Sequence, residues 1–276
     1  MSIIKLILIL VILVILVIIQ YKYIYFTDFI IYDPTKKYKI PFLIHQTWKD
    51  YDSIPEYIKE IILQNKKTCS LFDFKFYDDT DCINFIKDNF DDSVLNTYLR
   101  INNKYSAARA DLFRYCVLYI LGGVYLDIKS VIKHDLASII KPDDECILFT
   151  AFLKAMDIRR TLLSYQHYEQ WALIFSPKHP YLRVIIDQII YEVNNKIIIK
   201  SNNSKRKILN LTGPDAFSRA IYNYNNKSNK LQKNERKIPI SSLFIYNTKN
   251  HIKILYSNNN KIHYSKNKID EPIILD

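Results

Sequence analysis

The stretch "LYILGGVYLDIKS", Leu118 to Ser130, decides the fold. The chain of 276 residues has only three glycines, and two of them stand side by side here as Gly122 and Gly123. An acid, Asp127, follows shortly after. Upstream, "SAARADLFRYCVLYILGG" (Ser106–Gly123) has the length and the residue types of a helix, and Gly122 is placed to close it as a left-handed cap. Downstream, "VYLDI" (Val124–Ile128) reads as a strand. A helix that must stop, turn and hand over at once to a strand requires φ > 0, which glycine tolerates. Asp127 is thereby expected near the end of a strand, at the edge of an open α/β sheet where ligands collect.

The segments before this stretch carry the same alternation. "IPFLIHQTW" (Ile40–Trp48) is an apolar run ending in polar residues, consistent with a buried first strand and its loop. Pro55 opens a helical stretch with apolar residues at Tyr57, Ile58, Ile61 and Ile62. "FDFKFYDD" alternates in period two, as a strand does, and "DTDCINFIKDNF" reads as a helix with an aspartate N-cap. Strand and helix in alternation favour an α/β sheet with mostly parallel strands. Within the helix before Gly122, Asp111 and Arg114 are three apart and share a face. Because that helix is otherwise apolar, its charged residues are expected to be partly buried and to need partners.

The chain begins with a different kind of segment. "IIKLILILVILVILVII", Ile3 to Ile19, has Lys5 as its only charge. Seventeen residues in a helix reach roughly 26 Å, the short end of a membrane span. The aromatic cluster "YKYIYF" follows as an interfacial belt would, and no small-residue cleavage site is present. Residues 1–20 are expected to be a transmembrane signal-anchor, 21–38 a stem and 39–276 the catalytic domain. Flanking charges do not assign the orientation.

Net charge is +11, which raises the possibility of a nucleic-acid partner. Lys196–Lys237 carries 11 Lys and Arg against 2 Asp and Glu, a local net of nine positive charges. It is also dense in Asn and Ser and poor in aromatics that could stack bases, so it reads as solvated, partly mobile loops and no nucleic acid is expected. None of the four cysteines has C-x-x-C spacing, which argues against a zinc site. A disulfide such as Cys69–Cys82 stays open. Asn202, Asn210 and Asn226 each begin an N-x-[ST] sequon.

Four separate pieces resemble glycosyltransferase family 32, the Och1-like and capsule-type sugar transferases. They are "IPFLIHQTWK", "ARADLFRYCVLYILGGVYLDI", "QWALIFSPKHP" (Gln170–Pro180) and "LTGPDAFSRAI" (Leu211–Ile221), in the family's order from about Ile40 to Ile221. The third glycine, Gly213, falls in the last. The resemblance implies a Rossmann-like GT-A fold, a nucleotide-sugar donor (GDP-mannose or a UDP-sugar), and transfer of a hexose, with a lean to mannose, with retention at the anomeric carbon. A glycan or glycolipid would be the acceptor. With the anchor, it implies a single-pass protein at a lipid bilayer, its catalytic domain lumenal in the manner of Golgi or ER enzymes if the source is eukaryotic.

By position in those motifs, His45, Gln46, Thr47 and Trp48 would line the nucleotide pocket. Arg109, Asp111, Arg114, Tyr125 and Gly213 would serve the donor, with Asp111 and Arg114 at the sugar hydroxyls. His179 would order a loop. Asp127 would be the first acid of the family's D-x-D motif, which meets ribose, metal and diphosphate, and Asp127, Asp111 and Lys129 are the catalytic candidates. Here the sequence departs, because Asp127-Ile128-Lys129 replaces Asp-x-Asp, and an ammonium cannot ligate a hard cation. Three arrangements stay open. Lys129, expected beside Asp127 on one face of the strand, supplies the positive charge itself. Alternatively Mn²⁺ or Mg²⁺ still binds through Asp127, the diphosphate and a C-terminal residue such as His263. In the third, the domain is a catalytically inactive binding or structural protein.

Overall fold

The computed structural model describes Lys5 and residues 9–14, 29–150, 166–228, 234–246 and 271–276. Its centre is a six-stranded sheet in the order β2-β1-β3-β6-β5-β7, made of β1 (Leu43–Thr47), β2 (Asp73–Tyr77), β3 (Gly123–Leu126), β5 (Cys146–Thr150), β6 (Tyr168–Phe175) and β7 (Glu235–Pro239). A two-stranded ribbon pairs β4 (Ser130–Ile132) with β8 (Phe244–Tyr246). The longer helices are α1 (Glu56–Thr68), α2 (Asp79–Asn89), α3 (Asp92–Arg100), α4 (Ser106–Leu121), α5 (Pro180–Asn194), α6 (Ser204–Leu211) and α7 (Pro214–Ser228).

Strands β1, β2 and β3 are mutually parallel, as are β5 and β7, while β6 is antiparallel to both its neighbours. The sheet is mixed, with parallel pairs in the majority. Side chains alternate across it with the two-residue period of a strand. Tyr125, Leu173, Phe175 and Leu148 enter the core shared with α2 to α7. Val124, Leu126, Ala172, Ile174, Ile147 and Phe149 enter a second core on the other face with Ile132, Leu136 and Phe244.

Local signals account for the elements that frame the site. Pro55 stands at the N-cap of α1, and Asp78 with Asp81 forms a reciprocal capping box on α2. Helix α4 is buried along most of its length, from Asp111 to Leu118 without interruption, which is why it carries apolar residues on every face. The C-terminal residues return to this region. Asn102 N–H donates to Ile273 O at 2.8 Å, Tyr105 OH donates to Glu271 O at 2.8 Å, and Ile273 is buried.

Three expectations are corrected. Gly122 closes α4 at φ 66°, ψ −163°, a glycine-only extended conformation and not a left-handed cap, and Gly123 also has a positive φ of 93°. Strand β3 ends at Leu126, so Asp127 to Lys129 lie in a turn and not on the strand, because Ser130 N–H closes back on Asp127 O at 2.8 Å. The basic stretch Lys196–Lys237 is not a pair of loops. It contains α6 and α7, and α7 buries Ala216, Phe217, Ala220 and Ile221 against α4 and α5 while its Lys227 stays exposed. Cys69, Cys82, Cys116 and Cys146 are all buried free thiols. Among the described residues no helix is long and apolar enough to cross a membrane. The run Ile3–Ile19 lies outside the described residues apart from Lys5 and residues 9–14, which are helical and exposed.

Candidate active site

The parallel strands β1 and β3 end side by side, with His45 in register with Tyr125, so Thr47 and Trp48 adjoin Asp127. This is the carboxyl edge of the sheet. The turn that follows β3 is fixed at both ends. Asp127 N–H donates to Trp171 O at 2.8 Å, extending the ladder to β6 by one residue. Beyond the turn, Asn65 of α1 donates through Nδ2 to Ser130 O at 2.8 Å and accepts at Oδ1 from Ile132 N–H at 2.9 Å. Between these clamps Ile128 is buried against Ile54 and Ile58, leaving Asp127 and Lys129 as the partly open residues that flank it.

Asp127 is gripped from below by α4. Arg114 Nη2 lies 3.1 Å from Asp127 Oδ1 and 3.1 Å from Asp111 Oδ1, so one guanidinium joins two carboxylates. Its Nη1 donates to Gln170 O at 3.0 Å, and its plane sits 4.7 Å from the centre of the Tyr125 ring. Its Nε has no hydrogen-bond partner among the described residues. Asp111 is the deeper of the two acids, 4% exposed. Gln170 Nε2 donates to its Oδ1 at 2.9 Å and Thr212 Oγ1 to its Oδ2 at 2.9 Å. Tyr115 OH closes the network, facing Gln170 Oε1 and lying 2.8 Å from Thr212 O. One charge triad is therefore held by donors from α4, β6 and the α6–α7 junction.

Burial acts on each acid. It pushes the Asp111 carboxyl above the usual range, against the pull of Arg114, Thr212 and Gln170. Asp127 has about a quarter of its side chain open, yet packing around the carboxyl and the nearby Asp111 charge lift it to about 6 against the attraction of Arg114 and Lys129. Lys129 sits partly buried, which lowers its pKa, with Asp127 acting in the opposite direction. Its Nζ lies 5.2 Å over the ring of Trp48 and makes no ion pair among the described residues.

The remaining sequence candidates divide by place. Thr47 Oγ1 meets Tyr125 OH at 2.9 Å just beneath the site, and Trp48 stands at its edge. Gln46 is buried with its Nε2 unpartnered among the described residues. His45, whose motif position allowed a nucleotide-pocket or a structural role, makes a structural tie. It is fully buried, and its Nε2 lies 2.9 Å from Gly122 O and its Nδ1 3.1 Å from Tyr77 OH. A carbonyl accepts only, so Nε2 carries the proton and Nδ1 accepts from Tyr77. Burial drops its pKa to about 4.

Arg109 is also away from the site. Its Nε and Nη2 donate to Ile101 O at 2.7 Å and Leu99 O at 3.1 Å, satisfying carbonyls at the end of α3. Gly213 has no room for a side chain, since an added Cβ would lie 2.6 Å from Leu209 Cα, and it sets the α6–α7 corner beside Thr212. His179 caps α5, accepting at Nδ1 from Tyr181 N–H. His263 lies outside the described residues. Gln170, Thr212 and Tyr115 are the site's unforeseen members. All three stand inside the quoted motif segments, which was the available signal.

Among the described residues the donor set does not fit a divalent cation. Among the described residues Asp127 is the one partly open carboxylate here, and one of its oxygens is taken by Arg114. Both oxygens of Asp111 are engaged. No group of three His, Cys, Asp or Glu able to hold a metal occurs among the described residues. A divalent ion about 5 Å from the Lys129 ammonium would meet roughly 7 kcal/mol of repulsion at an effective dielectric near 20, offsetting much of the attraction of one carboxylate.

Residues 46–146 match the family described as the glycosyltransferase sugar-binding region containing DXD motif. The chain is 29% identical over 216 residues to "Uncharacterized glycosyltransferase L373" of Acanthamoeba polyphaga mimivirus, covering 76% of each chain. It is 36% identical over 124 residues to "Mannosyl phosphorylinositol ceramide synthase SUR1" of Saccharomyces cerevisiae, 44% of this chain but only 29% of that one. Among solved structures it is similar to the PaToxG glycosyltransferase, with a TM-score of 0.51 at 16% identity over 75% of this chain and 76% of that one, a likeness of fold. The sheet is therefore GT-A-like, and through residues 46–146 the chain is similar to the DXD-motif, family-32-like glycosyltransferases.

Proposed function

We propose that this glycosyltransferase is anchored to a membrane and moves a hexose, with mannose favoured, from a nucleotide-sugar to a glycan or glycolipid acceptor with retention of anomeric configuration. The observation that carries the reading is the Asp111–Arg114–Asp127 triad at the carboxyl edge of β1 and β3, inside the matched region. The lean to mannose and to a lipid-linked acceptor is supported by the printed name of the yeast relative. The lean to a bilayer is supported by the apolar run Ile3–Ile19. A lumenal placement of the catalytic domain goes with that lean.

In the reaction the bond between the anomeric carbon and the leaving phosphate oxygen breaks, and its electron pair stays on the diphosphate. The acceptor oxygen bonds to the same carbon, and its proton passes to the leaving phosphate on the same face. Negative charge grows on the phosphates and positive charge on the sugar ring. Asp127, steadied by Arg114, lies where it accepts hydroxyls of the donor. Asp111 does not reach outward, since its oxygens are occupied. It acts by holding Arg114, and Gln170, Thr212 and Tyr115 hold Asp111.

Screening the full-length protein against UDP- and GDP-linked hexoses tests this. Sugar transfer is expected with at least one donor, GDP-mannose first, and Asp127→Ala should reduce it by about a hundredfold or more. Full activity in Asp127→Ala would remove the site assignment. Lys129 gives a second reading some support, that of an inactive domain, and binding of donors without transfer or hydrolysis would establish it.

A further inference from the structure

The motif named for two acids has one here, and the place of the second is taken by a cation with a built setting. Lys129 follows Asp127 in a turn clamped by Trp171, by its own Ser130–Asp127 hydrogen bond and by Asn65. Buried Ile128 plugs the turn from behind. The ammonium stands over Trp48 at the end of the neighbouring parallel strand and has no anionic partner within ion-pair distance among the described residues. A half-buried cation without a counterion, beside the opening where Asp127 is accessible, is suited to an anionic ligand.

We infer that Lys129 is the resident cation of this site, binding the diphosphate of the donor directly so that no divalent metal is needed. The inference rests on the glycosyltransferase reading above. Charge bookkeeping supports it. Carboxylates alone repel a diphosphate, so a two-acid motif meets one only through an intervening cation. A carboxylate together with a divalent cation sums to a single positive charge, and an ammonium at the same position supplies that charge by itself. Asp111, Arg114, Asp127 and Lys129 sum to zero, the same total that two acids and a divalent cation would leave beside Asp111 and Arg114. As the bond to the anomeric carbon breaks, the developing phosphate charge meets an ammonium already in place, with no metal to recruit.

The test is calorimetric titration of the full chain with UDP and with GDP, each in EDTA and in Mn²⁺. Binding of at least one of the two in EDTA, within about threefold of its affinity in Mn²⁺, is expected. Lys129→Met should weaken it about 10- to 100-fold in both buffers, as expected on losing a charge-assisted contact, with an unchanged thermal melt. Lys129→Arg should keep most of the affinity. Lys129→Asp should lose binding in EDTA and regain it in Mn²⁺. If the wild-type chain binds a nucleoside diphosphate only in Mn²⁺, and Lys129→Met matches it, the inference is overturned while the glycosyltransferase reading survives. If neither nucleotide binds in either buffer, both fall.

Discussion

At the N-terminal end of β3 two glycines and a neutral histidine meet in a dry, tightly packed corner. At its C-terminal end, four residues later, two acids and two cations gather, of which Asp127 and Lys129 are partly open. An added Cβ at Gly122 would lie 2.6 Å from Pro177 Cδ, and at Gly123 2.6 Å from Leu43 O. His45 ties the same corner to β1 through Gly122 O. Both ring nitrogens of His45 are hydrogen-bonded there. At the other end, Arg114 is shared between Asp111 and Asp127, Lys129 makes no ion pair among the described residues, and burial lifts the Asp127 carboxyl to about 6. The first end is built on shape, which tolerates little change. The second is built on charge left partly uncompensated, which is what a site for a charged ligand requires. The short strand transmits the rigidity of one to the placement of the other.

The largest effect is expected where the charged end is cut. Arg114→Met leaves Asp111 buried without its cation, and a loss of about 3–5 kcal/mol in urea denaturation should accompany loss of sugar transfer. Arg114→Lys keeps the charge but not the fork, so transfer should remain low while stability partly recovers. Wild-type stability in Arg114→Met would show that charge does not organise this end.

The shape-built end should respond differently. Gly123→Ala places a side chain at positive φ against a carbonyl and should cost about 2–4 kcal/mol of stability. Donor affinity per folded molecule, measured by titration at low temperature, should stay near wild type. A selective loss of affinity without loss of stability would erase the distinction between the two ends.

The smallest effects are in pH, and the ends should differ in sign. His45 has its pKa lowered from 6.5 to about 4, so its contribution to folding is complete above pH 6.5 and is lost as pH falls toward 4. Asp127 is raised from 3.8 to about 6, so the protonated form suits the fold and its contribution to stability grows as pH falls from 6 toward 3.8. Sugar transfer, which needs the Asp127 carboxylate, should decline over the upper part of the same range. His45→Gln should flatten the acid limb of a melting-temperature profile, and Asp127→Asn should remove its opposing term. Parallel slopes in both variants would refute the assignment.

Much of the frame was legible in the chain. Strand β1, helix α1, strand β2, helix α2 and the α4–β3 passage follow from hydrophobic period and from Asp and Gly at their ends, because these signals act within a few residues. Helices α6 and α7 were hidden. Their lysines and asparagines suggested solvated loops, yet Phe217, Ala220 and Ile221 recur at helical spacing inside that polar background. The direction of β6 was not legible either, since reversing a strand leaves its two-residue period unchanged. The candidate list mixed residues of two kinds. His45 and Arg109 belong to the motif segments for structural reasons, and adjacency in sequence does not reveal that the His45 ring turns inward.

By itself the sequence determined an α/β domain with Asp127 near the end of a strand, and Lys129 two residues on, where the resembling family has an acid. Only the tertiary structure decided that Asp111 is a buried holder of Arg114, and that Gln170 and Thr212 complete the hold from 59 and 101 residues away along the chain. The reason is physical. Local patterning is written in spacings of two to four residues. The ionisation and partners of a buried carboxylate depend on which distant donors the packed core brings within about 3 Å.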